Sequence, residues 1–464
     1  MDLTTKRLLR LIALTCLALA IGAGSASALT VTWMRGFSAS GTPAKYNKVG
    51  VIKVGPSRAK NVLVLEPGTS AGSSYFVPLA KWIVSKTKGW QVWSVERREN
   101  LLEDQSELNL AKEGRATPRQ LFDYYLGFLA PGANVKTHFQ FLDNSKVLFA
   151  KQWGMEVAVQ DLRRVIENAR KLGGKVVLGG HSLGGSVVTA YATWNFHGHA
   201  GADDLAGLVY IDGGSLPAIT RSQAQQELSL LAAAKTTPWL SFGGISAPFA
   251  GLFNATGSLG ALLDPNSPSL GQSFPLLPAD LKPPVPVTNL GQYGYALNVG
   301  TSPAGLIAAQ AHLGRGLTAT GSPHGWDGTG ALTPITRFAT MFSGIGMNSV
   351  DGTEWYFPQR LTDDTGAVNN GIANPAQSVL DVKSTLGQKL PKNLLIYAFG
   401  ARLGGPGVLA DARILASQSR IPMRNLTLIN RQSTYAHNDP AGAYPHNVFF
   451  AHLVPFLTRV STHK

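Results

Sequence analysis

Apolar positions along the chain follow two alternating patterns. Short apolar runs read as strands at VGVIKVG (49–55), NVLVLEPG (61–68) and QVWSVERR (91–98). Further runs of the same kind are KVVLGG (175–180), LAGLVYID (205–212), NLLIYAFG (393–400) and NLTLINR (425–431). Between them the period lengthens. Over 153–172, Leu162, Val165, Ile166, Ala169 and Leu172 recur at steps of three and four, which predicts an amphipathic helix stopped by Gly173-Gly174. SVVTAYATW after Ser182 also reads as a helix, and FFAHLVPFLTRV closes the chain with Pro455 inside it as a predicted kink. Strands alternating with helices imply an α/β fold: a mostly parallel, doubly wound sheet covered on both faces.

Residues 213–390 interrupt this rhythm. SQAQQELSLLAAAK is helical in pattern, 236–263 carries no charged residue, and 264–300 is rich in Pro, Gly and Leu. Pro238, Pro248 and several glycines argue against a membrane span over 236–263. The segment predicts a cap or lid inserted between strands 6 and 7. The core is then 29–212 together with 391–464, and no internal repeat is evident.

Composition changes the picture in three ways. With 464 residues, 44% apolar and 15% charged, the chain can bury a large core and is not of disordered type. Its 51 glycines and 27 prolines predict long loops, and its formal net charge is +14. Lys and Arg are scattered and no basic cluster is interleaved with aromatics, so nucleic acid is not predicted as a partner. A solvated basic surface, or attraction to an anionic cell surface or acidic polymer, fits this charge. At the N-terminus, Lys6, Arg7 and Arg10 precede the apolar run LIALTCLALAIGAG, and Ala26 and Ala28 form an A-x-A site. This predicts a signal peptide over 1–28, cleaved after about Ala28, and a secreted protein. Cys16 is the only cysteine and lies in that segment, so the mature chain would contain neither a disulfide nor a cysteine nucleophile.

The chemistry centres on LGGHSLGG. Gly180-His181-Ser182-Leu183-Gly184 fits G-x-S-x-G between a predicted strand and a predicted helix. A sharp turn there would lift Ser182 above the sheet edge, with Gly180 and Gly184 needed where strand and helix pass too closely for a Cβ. A serine hydroxyl is a weak nucleophile and requires a base, an acid to orient it and oxyanion donors.

On these residues the chain resembles the α/β-hydrolase superfamily, and GHSLGG is similar to the nucleophile elbow of its lipases and esterases. The resemblance spans roughly 30–100, 153–212 and 390–464. It implies a Ser, acid, His order, with the histidine in the loop after the last strand. His437 stands six residues past NLTLINR, and His446, nearer the closing helix, is the alternate; His452 reads as packing. The position just after YAFGARLGG offers no carboxylate, so Asp212, which ends LVYID at the preceding strand and is followed by two glycines, is the candidate acid, with Asp411 as the alternate. The resemblance also implies an oxyanion hole built from the N–H of Leu183 and one from EPGTSAGSSYF. Pro67-Gly68 stands there where many relatives have His-Gly, which makes Thr69 the second donor and Ser70 its alternate.

These readings imply a secreted serine hydrolase acting on small-molecule or lipid carboxylic esters through an acyl-enzyme, without metal or organic cofactor. Amidase, peptidase or acyltransferase chemistry on the same residues is the alternative, and a non-catalytic binding protein on a hydrolase scaffold is the third reading. Weaker signals are His197 and His199 near Asp203 and Asp204, which match no standard metal-ligand spacing. His324 and Asp327 lie in the predicted cap, and Asn254 and Asn425 stand in N-x-T sequons.

Overall fold

The computed structural model describes residues 29–233 and 237–463; the segment read as an export signal, with Cys16, lies outside them. Nine strands form the main sheet. They are β1 (Leu29–Arg35), β2 (Lys48–Val54), β3 (Asn61–Glu66), β4 (Trp90–Glu96), β5 (Val176–His181), β6 (Gly207–Ile211), β7 (Met347–Asn348), β8 (Leu395–Gly400) and β9 (Leu426–Asn430). Their spatial order is β7-β1-β2-β4-β3-β5-β6-β8-β9. Every pairing from β4 to β9 across the sheet is parallel, whereas β2 runs antiparallel to both neighbours. All residues of β4, β5, β6 and β8 are buried. Covering on both faces explains why β5, β6 and β8 read as largely unbroken apolar runs rather than alternating ones, whereas β4 buries Gln91, Ser94 and Glu96 among its apolar residues.

The helices that matter to the site are α1 (Val77–Lys86), α2 (Pro118–Tyr125), α3 (Met155–Arg170), α4 (Leu183–Thr193), α5 (Arg221–Ala233), α6 (Phe249–Leu263), α7 (Asn289–Leu297), α8 (Ile335–Ser343), α9 (Gly405–Gln418) and α10 (Val448–Thr462). One core layer joins α3, α4 and α9 to the sheet, through residues such as Leu162, Val188 and Leu415. The other joins α1, α8 and α10, through Ile83, Phe338 and Leu453. Pro455 is accommodated inside α10 rather than ending it. The carbonyl its missing N–H would have met, that of Ala451, lies on the exposed side.

Two pieces of the 213–390 segment belong to the sheet layers. α8 packs on the sheet face, and β7 extends the sheet edge in parallel with β1. A second excursion, absent from the sequence reading, runs from Arg97 to α3 and carries α2. Its residues Phe122, Tyr125 and Trp153 share a third core with Trp239, Leu252, Leu259 and Trp355 of the later segment. Phe242, Ala250, Asn254 and Ala309 of the later segment line the cavity that also takes in Gly68 and Ser182, just past β3 and β5, and form a roof there. Among the described residues no helix is long and apolar enough to cross a membrane.

The crossing of β5 into α4 leaves no room for a Cβ. A Cβ on Gly180 would strike the backbone of Gly184, and one on Gly184 would strike the carbonyls of Glu66 and Pro67 at the end of β3. These obstacles are backbone atoms that no rotamer change can move. Gly184→Ala is therefore expected to destabilise the fold by about 3 kcal/mol or more, read as a fall in urea midpoint; an unchanged midpoint would show that the crossing can relax.

Candidate active site

Ser182 stands at the turn between β5 and α4 with φ 57° and ψ −128°, a backbone conformation that L-residues rarely hold. Its N–H donates to the Ile211 carbonyl at 3.1 Å and its carbonyl accepts from Gly185 at 2.8 Å, so both sides of the turn are tied down. The side chain faces a cavity enclosing ≈ 520 Å³, its opening included, shared with Gly68, Thr69 and His437. Leu183 begins α4, where the N–H has no partner within the helix.

Asp212 follows β6 and also has a positive φ, 46°. Its Oδ1 accepts N–H groups from Ala401 at 2.6 Å, Gly404 at 2.9 Å and Gly405 at 3.2 Å. Its Oδ2 accepts from Leu403 at 3.1 Å and from Nδ1 of His437 at 2.6 Å. The stretch after β8 that lacks a carboxylate thus supplies the donors that hold one from β6. Burial would raise the Asp212 pKa, but the hydrogen bond and charge of His437 and the Ala401 N–H outweigh it and hold the group below its ordinary value. With Nδ1 donating to Asp212, Nε2 of His437 is left free. It is buried and has no hydrogen-bond partner among the described residues. Ser182 and Nε2 of His437 lie at one cavity, and no hydrogen bond joins them among the described residues.

Asp411 lies elsewhere. Its Oδ1 accepts from Asn370 at 3.0 Å, and it supports the turn after Asp212 rather than touching His437. His446 is exposed, and His452 bonds the Val448 carbonyl one turn back at 2.9 Å. Ser70 points its carbonyl at the N–H of Glu354, 3.0 Å away. His197 and His199 occupy an exposed two-residue hairpin, and no group of potential metal ligands occurs among the described residues. His324 and Asp327 form part of another hairpin. Neither sequon is an open surface site: Asn254 faces the cavity, and Asn425 is buried.

Several residues went unread in the sequence. His181, between Gly180 and Ser182, is buried with its ring 4.3 Å from that of His437, and its Nε2 sits 2.9 Å from the His437 carbonyl. Burial, then the charge of His437, lowers its pKa to about 3, so the ring is neutral and donates to that carbonyl. Tyr75 donates to Oδ1 of Asn438 at 2.9 Å. Asp439 accepts from the N–H of Ala436 at 2.7 Å and from Nδ1 of His312 at 2.5 Å. The turn bearing His437 is thereby anchored on both sides.

The loop after β3 curls around the buried Arg97 guanidinium, which donates to the carbonyls of Pro67, Gly68 and Ala71. Glu66 and Glu354 pair with it at 2.8 Å each. Gly68 comes so close to Ser182 that a Cβ would lie 2.8 Å from the serine Cβ. Beneath this loop sits an excess of buried acid. Burial is the largest cause raising Glu96, to about 8, and it also raises Glu103 and Glu354 well above the ordinary range.

A sequence profile described as "Alpha/beta hydrolase family" matches residues 63–330, a stretch that contains Ser182 and Asp212 and ends before His437. No curated protein matches the chain. Among solved structures, a soluble variant of monoglyceride lipase from Saccharomyces cerevisiae is 11% identical, covering 95% of this chain and 97% of that one, with a TM-score of 0.39. A monoacylglycerol lipase from Paleococcus ferrophilus is 13% identical, over 89% and 99%, at TM-score 0.37. A carboxyl esterase from Bacillus coagulans is 12% identical, over 94% and 99%, at TM-score 0.36.

The acid excess has a consequence for stability. Glu96 titrates near 8 when folded and near its ordinary value when unfolded, so between these values the folded chain binds more protons. Its neutral form is favoured at low pH, and that contribution is lost as pH rises toward 8. Glu96→Gln is expected to gain stability relative to the parent as pH goes from 5 to 8.5, measured by urea melts at both ends; a difference independent of pH would mean that Glu96 is not held protonated.

Proposed function

Because the chain belongs to the alpha/beta hydrolase family, we propose that it is a serine hydrolase that cleaves carboxylic esters through Ser182, His437 and Asp212. The observation that carries this reading is the 2.6 Å pair between Asp212 and His437, which leaves an unpartnered Nε2 at the cavity that Ser182 enters.

In the proposed reaction Nε2 of His437 takes the proton of Ser182 as Oγ attacks the ester carbonyl carbon. Negative charge develops on the carbonyl oxygen, which accepts N–H bonds from Leu183 and Thr69. Such fixed donors act without reorganising as the charge appears. His437 becomes a cation, and the Asp212 carboxylate stabilises it. Collapse breaks the bond to the alcohol, which leaves with the proton from His437. Water then attacks the acyl-enzyme, giving its proton to His437, and the acid departs as Ser182 recovers its proton. Export belongs to the same proposal and is supported by the basic and apolar pattern of residues 1–28.

Activity on 4-nitrophenyl esters tests the assignment. Ser182→Ala and His437→Ala are each expected to lower kcat by about 10⁴-fold or more, and Asp212→Asn by about 10³–10⁴-fold. Asp411→Asn should stay within about threefold of the parent. A large loss in Asp411→Asn with a small one in Asp212→Asn would reverse the choice of acid, and full activity in Ser182→Ala would end the reading.

A further inference from the structure

The cavity at Ser182 shares part of its wall with another. Phe242, Ala250, Asn254 and Ala309 line it and also line a second cavity under the roof, which encloses ≈ 990 Å³ with its opening included. Among the described residues, none that lines the second cavity is Asp, Glu, Lys, Arg or His. The polar side chain at the neck is committed inward, since Oδ1 of Asn254 accepts from the Tyr293 hydroxyl at 3.1 Å. Farther in, Thr256 turns its hydroxyl back to the Leu252 carbonyl at 2.6 Å, and Oδ1 of Asn289 accepts from the N–H of Leu270 at 3.1 Å.

The wall formed by α6 carries a second signal. Gly257 and Gly260 sit one turn apart on its cavity side, inside a helix, where glycine is the least favourable residue after proline. Packing does not require them. A Cβ at Gly257 would come no closer than 3.4 Å to Tyr293, and one at Gly260 no closer than 3.9 Å to Asn289. Gly251 on the same helix differs, because a Cβ there would lie 2.6 Å from Trp355. The glycines at 257 and 260 therefore leave space rather than fit a neighbour.

We infer that this second cavity holds a long apolar acyl chain of the ester cleaved at Ser182, with Gly257 and Gly260 keeping its wall open. The inference rests on the ester-hydrolase reading above. The acyl side is assigned by where α6 sits. Ala71 of the loop after β3 pairs with Thr353, and Thr353 reaches the Gly251 carbonyl of α6 at 3.5 Å. The neck therefore adjoins the proposed oxyanion loop. The leaving alcohol belongs instead beside Nε2 of His437, which must protonate it.

The test is kcat/KM for 4-nitrophenyl acetate, butyrate, octanoate and palmitate with the parent, Gly260→Ala and Gly260→Leu. In the parent, rates are expected to rise by about threefold per added methylene until the cavity fills. Gly260→Leu should lower the ratio of long-chain to acetate activity at least tenfold, and Gly260→Ala, which suits the helix better, should shift it the same way by less. An unmoved ratio in Gly260→Leu protein that still labels with a fluorophosphonate, or a parent that prefers acetate, overturns the inference while the ester reading stands. If Gly260→Leu does not fold, the double variant Gly257→Ala/Gly260→Ala takes its place with the same criterion. A shift confined to a series of alkyl acetates would move the chain to the alcohol side and overturn the acyl assignment. If the parent cleaves no ester, the ester reading fails on its own, and binding of a fluorescent palmitic acid analogue to Ser182→Ala decides the cavity. Binding that is lost when Gly260→Leu is added supports it, and no binding overturns it.

Discussion

The Asp212 carboxylate is the point on which the rest of the site depends. Five N–H groups converge on its two oxygens, four from the backbone after β8 and one from His437. A buried carboxylate without such partners would take up a proton and lose its charge. Here the hydrogen bond and charge of His437, together with the Ala401 N–H, outweigh the burial, so the charge persists and can fix the imidazole with its proton on Nδ1. The same contacts set the spacing of three chain segments: the end of β6, the turn entering α9 and the loop that carries His437. The N–H of Asp212 also donates to the Phe399 carbonyl at 2.8 Å, so the residue continues the sheet ladder as it turns out of it. The strand termini are thus locked in register at the place where the candidate chemistry needs them.

Arg97 performs a comparable task on the opposite side of Ser182, with different electrostatics. It binds carbonyls of the loop after β3 and is itself held between Glu66 and Glu354. Buried ion pairs of this kind seldom add much net stability, because desolvation offsets the attraction. Their geometric effect is clearer. Glu354 comes from the later excursion, and its N–H meets the Ser70 carbonyl, so the roof and the loop cannot shift independently. Burial under that loop, with a smaller addition from neighbouring acids, raises Glu96, Glu103 and Glu354, which links the placement of the candidate oxyanion donors to pH-dependent stability.

Much of this arrangement was legible in the chain. The parallel strands announce themselves as apolar runs because both of their faces are covered, and the elbow at Ser182 shows as glycines flanking a serine between a strand and a helix. His437 was singled out by its distance past the last strand, and its ring meets Asp212 in the fold. Asp212 was favoured over Asp411 by its place at a strand end, but the backbone donors of residues 401–405 that surround its carboxylate leave no mark in residue type. β1 was missed although Leu29, Val31 and Trp33 alternate with threonines as in a half-buried strand; it follows directly on the segment read as an export signal. The excursion bearing α2 was missed because Phe122 and Tyr125 find their partners well over a hundred residues away, in Phe274 and Trp355. His181 read as a filler position of the motif, since only the fold brings its ring onto the loop of His437.

The charge-free stretch at 236–263 gains its meaning from the site beside it. A roof lined by Phe, Leu, Ala and Gly lowers the local dielectric around the Asp212–His437 pair, and electrostatic interactions strengthen as water is excluded. A charged side chain in that roof would compete for the imidazolium or attract water to it. The same absence of charge that makes the roof hospitable to an apolar chain therefore also favours ion-pair chemistry at the sheet edge. One compositional bias serves both ends of the cavity system, and α6 is the element that faces both, with Ala250 and Asn254 toward Ser182 and Gly257 and Gly260 toward the deeper space.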